Sequence, residues 1–318
     1  MGNRWAAAAA VIGILAVSVL ESRAVWLIHS PHLDLVAEQS RKVATGYAGW
    51  GVYQNRILGP FAVEGLSRLP HMNLTRAFAL FGDALLLAAN ALAFFVGRRV
   101  VGSPLGGWAF LILGAAGFVA LQDPYSLYPW DFVDAVTMLL FAWLIWADAG
   151  LGPFVILFAA ELLNREAASF IALWLVLDGA LRRPLGVPRI ATGATLLVVG
   201  AVWTSMLRRF LLRYEPEDAH LRQIFLGQHV HLEENLRALA HPMHPNPSAA
   251  WIVMIALGVI AGRALLHRTQ RPAALVMGAM IVSVVVFGVV CELRVWISIA
   301  PLAIPLLFRK GSAPGLPA

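Results

Sequence analysis

The chain has 318 residues, of which 59% are apolar and 13% charged, and its mean hydropathy is +0.74. So apolar a chain cannot cover a water-soluble core with polar surface, which excludes an ordinary soluble domain and leaves a polytopic membrane protein. The net charge of +6 rests almost wholly on arginine, with Lys42 and Lys310 the only lysines; the arginines are scattered over loops with no nucleic-acid motif, so no nucleic-acid partner is expected. Arginine binds phosphate in a planar, bidentate way, although a GC-rich genome produces the same bias. Cys291 stands alone, which rules out a disulfide framework and a thiolate metal cluster.

Taken in order, the chain opens with a short basic flank at Arg4 and an apolar segment, Trp5 to Ile28, long enough to span a bilayer. Its basic tip and alanine-rich start also fit a signal peptide, but the count of crossings below needs it retained. Residues 29–72 form a first extracytoplasmic loop, too polar to span, in which Asp34 to Val43 reads as an amphipathic helix on the membrane surface. Asn73 to Val96, Pro104 to Leu121 and Asp131 to Asp148 are the next crossings, and the Tyr- and Trp-containing loop before Asp131 suits headgroup depth.

The stretch Gly152 to Leu181 is apolar except at its middle, where Glu161, Asn164, Arg165 and Glu166 interrupt it. Charges at the bilayer centre cost at least about 2.5 kcal/mol each, so a single straight helix is disfavoured and two short helices meeting near one membrane face are expected. After Arg182-Arg183-Pro184, Ile190 to Leu212 crosses again, a second polar loop covers 213–248, and Ala249 to Leu266, Ala273 to Cys291 and Val295 to Phe308 complete the chain. The expectation is an all-α fold, a single transmembrane domain over residues 1–318 with about ten membrane segments. The basic loops at Arg98-Arg99, Arg182-Arg183, Arg263 to Arg271 and Arg309-Lys310 then share one side with Arg4. The positive-inside rule makes that side cytoplasmic, with both termini, and the protein belongs in a bacterial inner membrane.

This topology collects the polar groups at the outer face, where several have a bland reading as well as a functional one. Glu161 and Arg165 are spaced to pair on one helix face. Glu166 suits a helix N-terminus, and Asp131 and Asp134 suit helix capping. Glu292 and Arg294 fit a structural pair. Arg208, Arg209 and Arg213 gather at an outer helix end against the positive-inside trend, which favours an anionic ligand there. His229, His231, His241 and His244 are too loosely spaced for a metal motif and read as surface histidines. Asn73-Leu74-Thr75 matches a glycosylation acceptor, a pattern common by chance.

With Tyr53-Gln54-Asn55-Arg56-Ile57-Leu58-Gly59-Pro60, Leu163-Asn164-Arg165-Glu166 and Glu292-Leu293-Arg294 before Pro301, the chain resembles bacterial GT-C-type membrane glycosyltransferases. The resemblance covers most of the chain in layout but only these short stretches in residues. It implies a helical bundle with a long first outer loop, a polyprenyl-phosphate-linked sugar as donor and an active site at the outer membrane face. The acceptor, whether glycan, lipid or protein, stays open. Members usually carry an acidic residue or pair in the first loop; here Asp34 stands alone, with Glu64 well separated.

Sugar transfer from a lipid phosphate needs a carboxylate to take the acceptor proton and cations to stabilise the departing phosphate. Asp34 is the first candidate base and Glu166 the second. Arg56, Arg165, Arg208 and Arg294 would surround the phosphate, with Tyr53, Gln54, Asn55, Asn164, Asp131 and Glu292 completing the substrate site. No cofactor is firmly implied, a divalent metal being the one open option. A transporter or lipid flippase is the competing reading, with Asp83, Asn90 and Asp178 as its deeper polar lining, and a non-catalytic subunit binding anionic membrane lipid is the third. Cysteines placed at Ser248 and Ser312 are expected to label from opposite sides of the membrane; labelling from the same side would overturn the topology.

Overall fold

The structure, a computed structural model, describes residues 2–47, 53, 56–122, 127–211, 223–225, 228–240 and 245–308. Among them the regular elements are helical, apart from a two-stranded antiparallel ribbon of β1 (Gln223–Phe225) and β2 (Gln228–His229) in the second polar loop. The helix α1 (Gly2–His29) is followed by α2 (Leu33–Thr45) and α3 (Leu58–Ser67), which occupy the first loop. Then come α4 (Leu74–Val101), α5 (Pro104–Ala120) and α6 (Pro129–Trp146). The interrupted stretch forms α7 (Leu151–Leu162) and α8 (Ala168–Leu181), and α9 (Val187–Leu211) leads to the second loop with α10 (Leu232–Ala240). α11 (Pro245–Leu265) and α12 (Arg271–Phe287) precede α13 (Ala303–Leu307).

Four helices, Trp5–His29 within α1, α4, α6 and α9, are long and apolar enough to cross a membrane, and the remaining apolar helices are shorter. Large side chains such as Ile12, Leu113, Ile252 and Val259 point outward, as they do when the solvent is hydrocarbon. The described residues form a helical bundle with several helices able to span a membrane. The final segment departs from the expected regular helix: Leu293–Ser298 and Ala300–Leu302 are 3-10 turns before α13. Pro301 and Pro305 remove two backbone N–H donors from this stretch, so an uninterrupted α-helical ladder cannot form.

The expected break is present, and its two halves fold back on each other. Arg182 pairs with Asp148 and Asp178, and Arg189 reaches Asp178 at 2.9 Å and the Ala149 carbonyl at 2.9 Å, so the start of α7 and the end of α8 are tied together. At about 1.5 Å per residue, twelve and fourteen residues give helices about 18 and 21 Å long. Each falls short of a hydrocarbon core about 30 Å thick. The hairpin packs on α6, and a buried aromatic trio joins the three helices: Phe154 stacks on Trp174 at 4.5 Å, and Phe141 meets both edge-on at 6.3 Å.

Small residues let the longer helices approach. A side chain at Gly97 would strike the Gly106 carbonyl between α4 and α5, and one at Gly193 the Ala172 carbonyl between α8 and α9. α1 is fixed to α4 by polar bonds instead, Ser22 and Trp26 both donating to Asp83 at 2.6 Å and Asn90 donating to Glu21 and Ser18. Asn73 caps α4 by accepting from the Arg76 N–H, which gives the Asn-Leu-Thr pattern a structural role.

The first loop is seated on α6 by contact too close for any side chain at Gly59, whose added Cβ would lie 2.6 Å from the Pro129 Cβ. Gly59→Val should therefore destabilise the protein by about 1–3 kcal/mol through overpacking, read as a lowered midpoint of thermal unfolding in detergent. An unchanged midpoint would show that the loop has room to retreat.

Candidate functional site

The site forms where α6 begins, where α7 stops and where the segment after α12 turns. Tyr128, before the first residue of α6, donates its backbone N–H to Asp131 at 3.0 Å, so Asp131 has the capping role its position suggested. Asp134, one helical turn further on, faces the same way and accepts from Asn164 at 2.7 Å, from Ser298 at 2.7 Å and from Arg165. Asn164 is buried and also donates to the Trp130 carbonyl at 3.2 Å. The carbonyl of Leu163, with no helical donor once α7 has ended, accepts the N–H groups of Ile57 and Leu58 at 3.0 and 2.8 Å. These two bonds fasten the first loop to the break and place Arg56 beside it.

Arg165 does not pair with Glu161, as the four-residue spacing suggested. It pairs with Asp134 and stands 4.0 Å from Asp131, while Glu161 accepts from Thr137 at 2.6 Å. The helix ends between Glu161 and Arg165, and α6 supplies closer partners for both. Burial works to lower the Arg165 pKa, but the charges of Asp134 and Asp131 outweigh it and hold the guanidinium above its ordinary value. Arg294 makes the expected pair with Glu292 at 2.7 Å and a second with Asp131 at 3.0 Å. Its guanidinium also lies 4.8 Å from the Tyr128 ring centroid.

Arg56 is different. It is 7% exposed, and among the described residues no carboxylate pairs with it and its Nε has no hydrogen-bond partner. The guanidinium is held by the rings of Tyr53 and Trp130, at 5.0 and 4.9 Å. Burial and the like charge of Arg165 push its pKa below the ordinary arginine value. The Glu166 carboxylate on the same cavity wall acts in the opposite sense, but Arg56 has no ion pair among the described residues and so keeps capacity for an anion.

Arg56, Arg165 and Arg294 line one cavity of about 480 Å³ together with Glu166, Glu292 and Tyr53. Three guanidiniums thus face two carboxylates on its wall, with Asp131 and Asp134 behind them. The cavity continues along Phe170 of α8 and Met280, Val284 and Phe287 of α12, an apolar flank attached to a charged end. The second loop closes part of this region. Asn235 of α10 donates to the carbonyls of Val285 and Gly288 and accepts from the Val290 N–H, satisfying backbone groups freed where α12 ends. His231, beside it, lines the cavity and its ring meets Glu234 at 2.7 Å.

Asp34 stands apart from this cavity. It is exposed in the first turn of α2, accepts from Thr75 at 2.6 Å and does not line the cavity. An acid at that position complements the helix dipole and ties α2 to α4. Glu64 is likewise occupied locally, by Arg68 at 3.3 Å. Asn164 and Asp131 stand behind the cavity wall and position the arginines without lining it. Gln54, Asn55, Arg213, His241 and His244 lie outside the described residues, and Arg208 is in α9 with its side chain outside them. Asp134 does not take the capping role expected beside Asp131 but holds Arg165, Asn164 and Ser298; the three-residue spacing that puts both acids on one helix face was the signal for it, and Tyr128, Trp130 and Ser298 carried no expected site role. Among the described residues, no three His, Cys, Asp or Glu side chains gather as a metal-ligand set. No protein-family model, curated protein or solved structure matches the chain.

Asp131 and Arg294 are 2% and 6% exposed, so breaking their pair strands a buried charge. Asp131→Ala should cost about 3–5 kcal/mol in an unfolding titration. Glu292→Gln should cost less than about 1 kcal/mol, because the Glu292 side chain is 29% exposed and water screens it. Equal losses in the two variants would show that Asp131 is not the anchor of Arg294.

Proposed function

We propose that this chain is a membrane glycosyltransferase that moves a sugar from a polyprenyl-phosphate donor to an acceptor at the extracytoplasmic face. The observation that carries this reading is Arg56, a buried guanidinium without a carboxylate partner among the described residues, at the charged end of a cavity whose other flank is apolar. Such a cavity complements an amphiphile with an anionic head and a hydrocarbon tail. The resemblance of the chain to GT-C-type enzymes supports the same ligand class. The associated topology has about ten membrane segments in a bacterial inner membrane and both termini in the cytoplasm. Whether the α7–α8 hairpin crosses fully or turns back within the bilayer, it returns the chain to the side from which it entered, so the later segments keep their orientation.

The chemistry assigned to the wall uses three kinds of group. Glu166, on the turn before α8, takes the proton of the acceptor hydroxyl as that oxygen bonds to the sugar carbon. The bond between that carbon and the phosphate oxygen breaks, and its electron pair leaves on the phosphate. Arg56 receives this charge, since Arg165 and Arg294 are already engaged by Asp134, Asp131 and Glu292. The arginines behind Arg56 fix the wall and add to its positive field.

The transport reading has less to stand on. Asp83 and Asn90 are consumed in bonds between α1 and α4, and Asp178 is consumed in ion pairs at the opposite end of the bundle. They are therefore poor candidates for a continuous polar path.

The decisive assay is transfer of a labelled sugar from a polyprenyl-phosphate donor by purified protein in nanodiscs. Glu166→Gln should lower transfer by roughly a hundredfold or more with donor binding retained. Arg56→Gln should weaken donor binding by roughly tenfold or more, because a charged hydrogen-bond partner is lost. Asp34→Asn should transfer at the parent rate. Loss of transfer in Asp34→Asn with retention in Glu166→Gln would return the base to the first loop, and parent-level donor binding by Arg56→Gln would remove the phosphate from this cavity.

A further inference from the structure

A second cavity, of about 580 Å³, lies at the opposite end of the bundle, where the turn between α6 and α7, the end of α8 and the turn before α12 meet. Its wall carries Arg182, Arg183 and Arg268 with Asp148 and Asp178, and Arg189 pairs with both aspartates from behind. The aspartates are accounted for: Arg182 and Arg189 both bond Asp178, and both reach Asp148. This leaves two carboxylates balanced by two guanidiniums, and Arg183 and Arg268 in excess. Neither has an ion pair among the described residues.

Two other features of this wall favour an anion. The first turn of α12, a helix of 17 residues, opens onto the cavity through Gln270, Pro272 and Ala273, so the positive end of the helix dipole faces it. Gln270 holds that turn in place by donating to the carbonyls of Pro305 and Leu306 at 3.3 and 2.9 Å. In addition, Trp146 lines the cavity, and its indole N–H has no acceptor among the described residues. An unsatisfied donor, two surplus guanidiniums and a helix N-terminus thus converge on one space. The same wall includes the apolar side chains of Ile145, Leu181 and Phe308.

We propose that this cavity is a second anion site, independent of the outer one, that binds a phosphate group through Arg183, Arg268 and the N-terminal turn of α12. A phospholipid headgroup and a soluble phosphate ester offer the same chemistry. In the topology described above this end faces the cytoplasm, so the site would sense the ligand on the side away from sugar transfer.

The test uses the full chain in nanodiscs of phosphatidylcholine, titrated with inorganic phosphate in one arm and with a short-chain phosphatidylglycerol in the other. Isothermal calorimetry is run on the parent, on R183A/R268A and on R56Q. Both substituted arginines of the double variant are exposed, so its fold should persist, and thermal unfolding checks this. The parent should bind in at least one arm, and R183A/R268A should weaken that binding by roughly tenfold or more while R183K/R268K recovers part of it. Binding of phosphatidylglycerol alone identifies a lipid headgroup, and binding of both probes identifies phosphate itself. Parent-level binding by R183A/R268A, loss of binding in R56Q alone, or no binding by the parent in either arm would overturn the proposal.

Discussion

The cavity lined by Arg56, Arg165 and Arg294 depends on one interruption in an apolar stretch and on the groups that satisfy it. Where α7 stops, Leu163 has a carbonyl without a helical donor and Asn164 has an amide within the protein interior. Both find partners outside their own helix: Ile57 and Leu58 supply N–H groups, and Asp134 and the Trp130 carbonyl accept from Asn164. In hydrocarbon an unsatisfied polar group costs several kcal/mol, so these bonds hold the break open as firmly as packing holds the helices. They also explain why the first loop sits where it does. The loop is the donor that the break requires, and Arg56 is carried to the cavity as the residue next to those donors.

The arginines around this cavity form a graded series. Arg294 has two carboxylates and an aromatic ring, Arg165 has Asp134 with Asp131 more distant, and Arg56 has two aromatic rings and no ion pair among the described residues. A fully paired guanidinium is a structural strut, because any incoming anion must compete with a buried partner. One without a carboxylate keeps its binding capacity. Division of labour among three identical side chains is thus set by how many aspartates and glutamates each can reach, and α6 controls that by presenting Asp131 and Asp134 on one face.

The helical composition was readable because the lengths of apolar runs and the cost of buried charge act through local sequence. The interrupted stretch is the clearest instance: Glu161, Asn164, Arg165 and Glu166 are incompatible with one long span, and a break appears there. Pairing partners were less readable because they depend on contacts distant in sequence. Arg165 was matched to Glu161 from spacing, whereas α6 delivers Asp134 to it from thirty-one residues away. Asp34 looked free for chemistry because its partner Thr75 sits on another helix. The 3-10 turns near the C-terminus were signalled by Pro301 and Pro305, although apolar composition alone suggested a regular helix.

The aromatic trio of α6, α7 and α8 has a consequence for the charged cluster beside it. Phe154 stacks on Trp174 with Phe141 edge-on to both, and the Arg189 guanidinium lies 5.4 Å from the Trp174 ring centroid. Trp174 also lines the second cavity. One indole therefore joins the apolar packing of three helices to the ion pairs of Asp148, Asp178, Arg182 and Arg189, so a shift in either is transmitted to the other.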